Sequence, residues 1–184
     1  MAGIYIHIPF CKQACNYCNF HFSTSLRYKN ELIGALLKEI DLKPQFFTLS
    51  GSESIETIYF GGGTPSLMSS AEICSIIQAI RKNYPVSPNA EITLEANPDD
   101  LNPEKLTEWK SAGITRLSIG IQSFFEEDLR WMNRAHNATQ AFDNLQLAKS
   151  YFENITIDLI YGTPGLTNEK WKQNDLFYCS KFYV

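Results

Sequence analysis

The sequence predicts an α/β fold built on a parallel sheet, and two observations carry that expectation. Short runs rich in β-branched and aromatic residues alternate with amphipathic segments of 10 residues or more, the pattern of right-handed βαβ units. The residues least expected in a packed core also follow, end or sit on five consecutive strand-like runs: a cysteine loop, a glycine run, a glutamate, a glutamine and, within the fifth run, an aspartate. In parallel α/β folds ligands bind in the loops beyond the carboxyl ends of the strands, so such a chain aims its polar groups at one common face. An open doubly wound sheet and part of a (β/α) barrel both satisfy the pattern.

Taken in order, Ile4 to Ile8 is predicted as the first strand. Beyond the cysteine loop, Arg27 to Leu42 carries Leu32, Leu36 and Ile40 at four-residue spacing, with Ile33 and Leu37 beside them, which predicts an amphipathic helix. Ile55 to Phe60 is the second strand and runs into Gly61-Gly62-Gly63-Thr64-Pro65. Ser69, with Glu72 three residues later, forms a capping box for a helix whose Ile73, Ile76, Ile77 and Ile80 share one face. Glu91 to Glu95 is the third strand. Asn102 then stands as an N-cap before Pro103 at the first helical position, and Gly113, after Leu106 and Trp109, stops that helix. Arg116 to Ile121 is the fourth strand, Phe125 to Met132 and Thr139 to Phe152 are helical, and Ile155 to Tyr161 is the fifth strand.

The composition narrows the function. With 184 residues, 44% hydrophobic and 20% charged, the chain can bury one ordinary core, so one domain is expected. A net charge of −4 without a basic run gives nucleic acid no footing. There is no 18-residue apolar stretch, and the N-terminus lacks a charged segment followed by an apolar one, so neither membrane insertion nor secretion is expected. Five cysteines, an odd number with three clustered, point to a reducing, cytoplasmic setting and to metal ligation rather than a disulfide framework.

Cys11, Cys15 and Cys18 are spaced C-x3-C-x2-C. An ordinary iron–sulfur cluster takes four thiolates, so three close cysteines point to a four-iron cluster with one iron left free for another ligand. A zinc half-site completed from elsewhere and a redox pair fit the spacing as well. The glycine run lets the backbone approach a ligand closely or simply makes a tight turn; it is neither a P-loop nor the dinucleotide fingerprint. Glu95 ends an otherwise apolar strand, where a carboxylate is seldom buried without a partner. Gln122 offers amide donors and acceptors to hydroxyls, a carboxylate or loop backbone. Arg134 has the fork for a bidentate carboxylate contact, and Asp158 interrupts a hydrophobic strand. His7 and His21 flank the cysteine loop as possible ligands or acid–base groups, or as hydrogen-bonded structural residues. His136 reads as the polar start of the next helix, Cys74 as a core or boundary thiol, inert by default, and Cys179 as part of an irregular tail.

The cysteine spacing, with Tyr17 directly before Cys18, resembles the signature of the radical S-adenosylmethionine (SAM) superfamily. HIPFC and YCNF are similar to the branch holding oxygen-independent coproporphyrinogen oxidases and HemW-type proteins. The resemblance implies a partial (β/α) barrel, short of its last strand, and a [4Fe-4S] cluster on Cys11, Cys15 and Cys18. The free iron of that cluster would chelate the amino and carboxylate groups of SAM, whose reductive cleavage gives a 5′-deoxyadenosyl radical. It assigns Gly62, Gly63 and Thr64 to the methionine amino group, Glu95 to the ribose or methionine portion, and Tyr5 to a place near the cluster. Gln122, Arg134, facing SAM's carboxylate, and Asp158 complete the expected SAM site.

In this branch true oxidases are expected to continue C-x3-C-x2-C-x-C, whereas HemW-type proteins carry an aromatic at the extra position, as Cys18-Asn19-Phe20 does. The resemblance therefore implies a haem chaperone with SAM and haem or porphyrin as partners; it names neither the acceptor protein nor the reductant. Radical decarboxylation of a porphyrinogen, and a structural zinc or electron-transfer module, are the alternatives. Asn16 departs from the histidine or proline common in the family. The likeness extends from Gly3 to Asn174, so residues 1–174 are expected to form the core and 175–184 an atypical tail, as in a truncated product, with Phe177 to Val184 as a possible sixth, edge strand.

Overall fold

The computed structural model describes residues 2–42 and 54–182, with side chains through 175. Five strands, β1 (Ala2–Ile8), β2 (Ile55–Gly62), β3 (Val86–Ala96), β4 (Arg116–Gln122) and β5 (Asn154–Leu159), form one sheet. Their order is β1-β2-β3-β4-β5 and every neighbouring pair is parallel. Each strand lies beside its predecessor with no reversal of direction along the sheet. That is the order of a (β/α) barrel; a doubly wound sheet reverses at a switch point. The helices are α1 (Lys29–Leu42), α2 (Ser70–Asn83), α3 (Pro103–Ala112), α4 (Glu126–Trp131), α5 (Ala138–Tyr151) and α6 (Asn168–Phe182).

The alternation of side chains separates two faces of the sheet. Ile6 and Ile8, Ile58 and Phe60, Ile92 and Leu94, and Leu117 and Ile119 pack with Ile73, Ile76, Ile80, Leu106, Trp109 and Leu145 in one core. The opposite face is polar. Tyr5 lies in register with Tyr59, Tyr59 with Thr93, and Thr93 with Arg116, while Glu95 lies beside Ser118. Strand direction puts the carboxyl ends of all five strands along one edge of the sheet.

Local chemistry sets the helix starts. Ser69 and Glu72 exchange both hydrogen bonds of the capping box, Asn102 accepts from the Lys105 amide, and Gly113 closes α3 at φ 102°. A second capping box, Asn137 with Gln140, starts α5. β3 begins at Val86, earlier than expected, because its register against β2 jumps from Ile55–Val86 to Thr57–Glu91 and absorbs Pro88 in the irregularity. The sixth strand allowed for 177–184 is not found: α6 runs as helix through Phe182. Cys179 is therefore on a helix and not in an irregular tail, and the last two residues lie outside the described ones.

Candidate functional site

The cysteine loop leaves β1 at Ile8 and is held at its base by backbone bonds. Cys11 N donates to Ser23 O (3.0 Å), Ser23 N to Pro9 O (2.8 Å) and Thr64 N to Phe10 O (2.6 Å). Its far side is tied to the turn after α4. Asn16 donates to Trp131 O through its side chain (2.6 Å) and to Met132 O through its backbone N–H (3.0 Å), and Asn133 donates to Ala14 O (2.7 Å). Asn133 reaches that carbonyl from a left-handed backbone, φ 57°.

Between this loop and the strand ends lies a cavity of about 250 Å³. Its wall contains Cys11, Cys15 and Cys18 together with Gly62, Gly63, Thr64, Glu95, Gln122, Arg134 and Asp158. Every residue expected at the site from the sequence is thus gathered in one place except Tyr5, which lies outside the lining. Its ring stacks on Tyr59, with centroids 5.8 Å apart. The glycines are required by space. A Cβ on Gly63 would stand 2.6 Å from Phe10 O and 2.9 Å from Cys11 Sγ, and one on Gly62, at φ 116°, would stand 2.7 Å from His7 Nδ1.

Glu95 accepts from Tyr59 Oη (2.8 Å) and from the Gly62 amide (3.0 Å). Burial holds its carboxyl above the usual range; these two hydrogen bonds pull it down, and the charge of Asp158 pushes it up again. Burial also raises Asp158, against the pull of the Ser118 hydroxyl and Arg116. The Tyr59 phenol is pushed up to about 12, chiefly by burial, so it stays protonated and donates to Glu95.

Arg134 is used by the protein itself. Nη1 donates to Cys15 Sγ (3.5 Å) and Tyr17 Oη (3.2 Å), and Nη2 to Asn97 Oδ1 (2.6 Å) and Gly120 O (2.9 Å); Nε is buried without a partner. Gln122 sits at φ 66°, a left-handed conformation that side chains rarely adopt and that the surrounding packing must hold. His136 is buried, 3% exposed, and bonds Ile121 O through Nε2 (3.1 Å), where the sequence suggested a polar helix start. Burial, with Arg134 beside it, lowers His136 to about 4, so it is neutral. Sequence reasoning passed over Tyr59, Asn97 and Lys12. The available signal was that Tyr59 and Asn97 flank the glycine run and Glu95 at the ends of β2 and β3.

Comparison with known proteins places the chain. A family profile described as the Radical SAM superfamily matches residues 5–175. The chain belongs to the radical SAM superfamily. It is 40% identical over 172 residues to the heme chaperone HemW of Haemophilus influenzae and 37% over 170 residues to that of Bacillus subtilis, covering 91% of this chain and 45% and 44% of those proteins. A mitochondrial radical S-adenosyl methionine domain-containing protein 1 of Mus musculus is 33% identical over 173 residues, 94% of this chain and 39% of that one. Among solved structures, the radical SAM coproporphyrinogen III oxidase HemN of Escherichia coli superposes with a TM-score of 0.85 at 29% identity, covering 97% of this chain and 41% of HemN. Methanocaldococcus infernus Elp3, at 15% identity and a TM-score of 0.64, shares the fold. The chain thus spans less than half the length of these relatives. No helix among the described residues is long and apolar enough to cross a membrane.

The residues of this radical SAM chain suit the cluster that its family implies. Burial raises the Cys11 thiol, while the Thr64 hydroxyl and the Arg134 cation favour its thiolate, the form that binds metal; the charges of Cys18 and Cys15 act against it. Mutual influence of that kind marks three thiols sharing one neighbourhood. Among the described residues no three His, Cys, Asp or Glu side chains are close enough to hold a single metal ion. A four-iron cluster spreads its thiolates farther apart than one ion does, and Cys11, Cys15 and Cys18 all line the one cavity.

Proposed function

We propose that this chain binds a [4Fe-4S] cluster through Cys11, Cys15 and Cys18 and SAM in the adjoining cavity, and that it serves haem handling of the HemW kind. One observation carries the reading: three thiols and the polar ends of successive parallel strands line a single cavity. When bound, the cluster supplies the electron for reductive cleavage of SAM. In this reading the thiolates hold three irons, and the Gly62–Gly63 backbone lies bare beside the ligand. Glu95, Gln122 and Asp158 provide acceptors for its ammonium and hydroxyl groups. Arg134 orders Cys15 and Asn97, and a SAM carboxylate that reached its fork would displace one of the present partners. Tyr5 acts from behind, by stacking on Tyr59.

Haem enters through the relatives named heme chaperone HemW and through Phe20, which is 80% exposed at the cavity mouth where an oxidase-type motif would carry cysteine. The core is assigned to residues 1–174 and the tail to 175–184, with cytoplasmic residence following from cysteine usage. A second reading, porphyrinogen decarboxylation, is favoured by the likeness to HemN. Anaerobic reconstitution with iron and sulfide tests the proposal: about four irons per chain are expected, an electron paramagnetic resonance signal that changes on adding SAM, and haem binding in a separate titration. Zinc saturating the thiols, or a reduced cluster indifferent to SAM, would overturn it. Product from coproporphyrinogen III would favour the second reading.

A further inference from the structure

The cysteine loop carries a charge that SAM and cluster chemistry leave unused. Lys12 follows Cys11 directly, and its ammonium leaves the loop for the turn after β3, with Nζ 2.6 Å from Asp99 Oδ2 and 2.5 Å from Asp100 Oδ1. Both acids lie beneath the surface, their side chains 12% and 1% exposed. Asp100 Oδ2 is engaged by the Ser66 hydroxyl at 2.7 Å, and Asp99 Oδ1 is buried with no hydrogen-bond partner. Lys105 stands farther off, 3.8 Å from Asp100, and donates to Ser66 O. Buried carboxylates require a nearby cation, and here the nearest one is supplied by the loop that bears the thiols.

The same turn reaches the loop by a second route. Asn97 accepts from Arg134 Nη2, and Arg134 Nη1 donates to Cys15 Sγ. The side of the loop facing α4 is held by neutral hydrogen bonds through Asn16 and Asn133.

We propose that Lys12 is a positioning residue: its ion pairs with Asp99 and Asp100 fasten the cysteine loop to the turn after β3 and hold Cys11, Cys15 and Cys18 in place for the metal cluster. Only the last clause rests on the reading of these thiols as cluster ligands. The fastening belongs to the chain before any iron is added.

The test compares Lys12→Met, which keeps an unbranched apolar stem and deletes the charge, with Lys12→Arg, which restores it. Hydrogen exchange is read by mass spectrometry on the full chain without iron, followed by iron release to a chelator and the SAM-dependent resonance signal after reconstitution. In Lys12→Met, amides of 11–18 and 97–101 are expected to exchange about tenfold faster while β3 and β4 are unchanged. Iron is lost several-fold faster, a smaller share of the signal responds to SAM, and Lys12→Arg restores all three. Unchanged loop exchange, acceleration spread over every strand, or failure of arginine to rescue would overturn the proposal. Should Lys12→Met not fold, Asp99→Asn in an otherwise unaltered chain is expected to give the same loop-confined acceleration, and its absence counts against the latch. A wild-type chain that takes up no iron, together with loop-confined acceleration in Lys12→Met, would refute the cluster reading and leave the latch standing.

Discussion

Glu95 sets binding against stability within one side chain. Its carboxyl titrates above the ordinary range because burial outweighs the hydrogen bonds from Tyr59 and Gly62, with the Asp158 charge adding to the rise. The native state therefore holds the proton more tightly than the unfolded chain, so stability is greatest below the ordinary glutamate pKa and falls as pH climbs through the raised value. Glu95→Gln, which can still accept from the Gly62 amide and meet the Tyr59 hydroxyl, is expected to raise the melting temperature at neutral pH, with the gain shrinking in acid. The same change should weaken SAM binding by roughly tenfold or more, the scale of one hydrogen bond to a charged group. Melting curves across pH, paired with SAM titration of the reconstituted chain, check both halves; a neutral-pH loss of stability would contradict the sign. At this scale the sequence was legible where residue type was out of place, as with the cysteines, the triple glycine and Glu95. It was mute where a role comes from a distant partner: Lys12 and Asp99 are 87 positions apart, and Arg134 and Asn97 are 37 apart.

Helices announced themselves by their ends. The box of Ser69 with Glu72 and the Asn102–Pro103 start were readable because capping depends on residues three apart, and both occur as expected. β3 was read short because Pro88 and Asn89 break a strand pattern, and only pairing with β2 carries the strand back to Val86. α6 was missed because Asn168–Phe182 has little amphipathic order, and one anchor, Asn174, accepts from Phe124 N (2.8 Å) 50 positions away. Gly113 gives this scale a clean prediction. It lies at φ 102°, and a Cβ there would meet nothing within 4 Å, so Gly113→Ala carries no clash and isolates the backbone penalty. About 1–2 kcal/mol of destabilisation is expected, with Gly113→Asn costing less because asparagine tolerates the left-handed region. Denaturant midpoints at unchanged slope measure it; equal costs for the two variants would mean that the turn had rearranged.

Across the whole molecule, stability is graded along the sheet, and the cavity wall spans the grade. Leu117, Ile119 and Ile121 of β4 are fully buried, whereas Ile155, Ile157 and Leu159 of β5 are only partly buried against the core. Among the described residues β5 pairs with β4 alone, while β2, β3 and β4 have strands on both sides. Local opening free energy follows buried apolar contact and backbone pairing, so amides of β5 should exchange well before those of β3 and β4. Asp158 stands on β5, which makes the last strand of the wall also the least secured. A ligand that touches Asp158 binds the closed strand and not the open one, and it stabilises that segment by mass action. Adding SAM to the reconstituted chain is therefore expected to slow exchange in β5 more than in β3, although Glu95 on β3 faces the same cavity. Equal slowing in both strands would mean that the ligand stabilises the fold as a whole and not β5 in particular, and protection of β3 alone would confine the SAM site to the half of the cavity nearest the thiols.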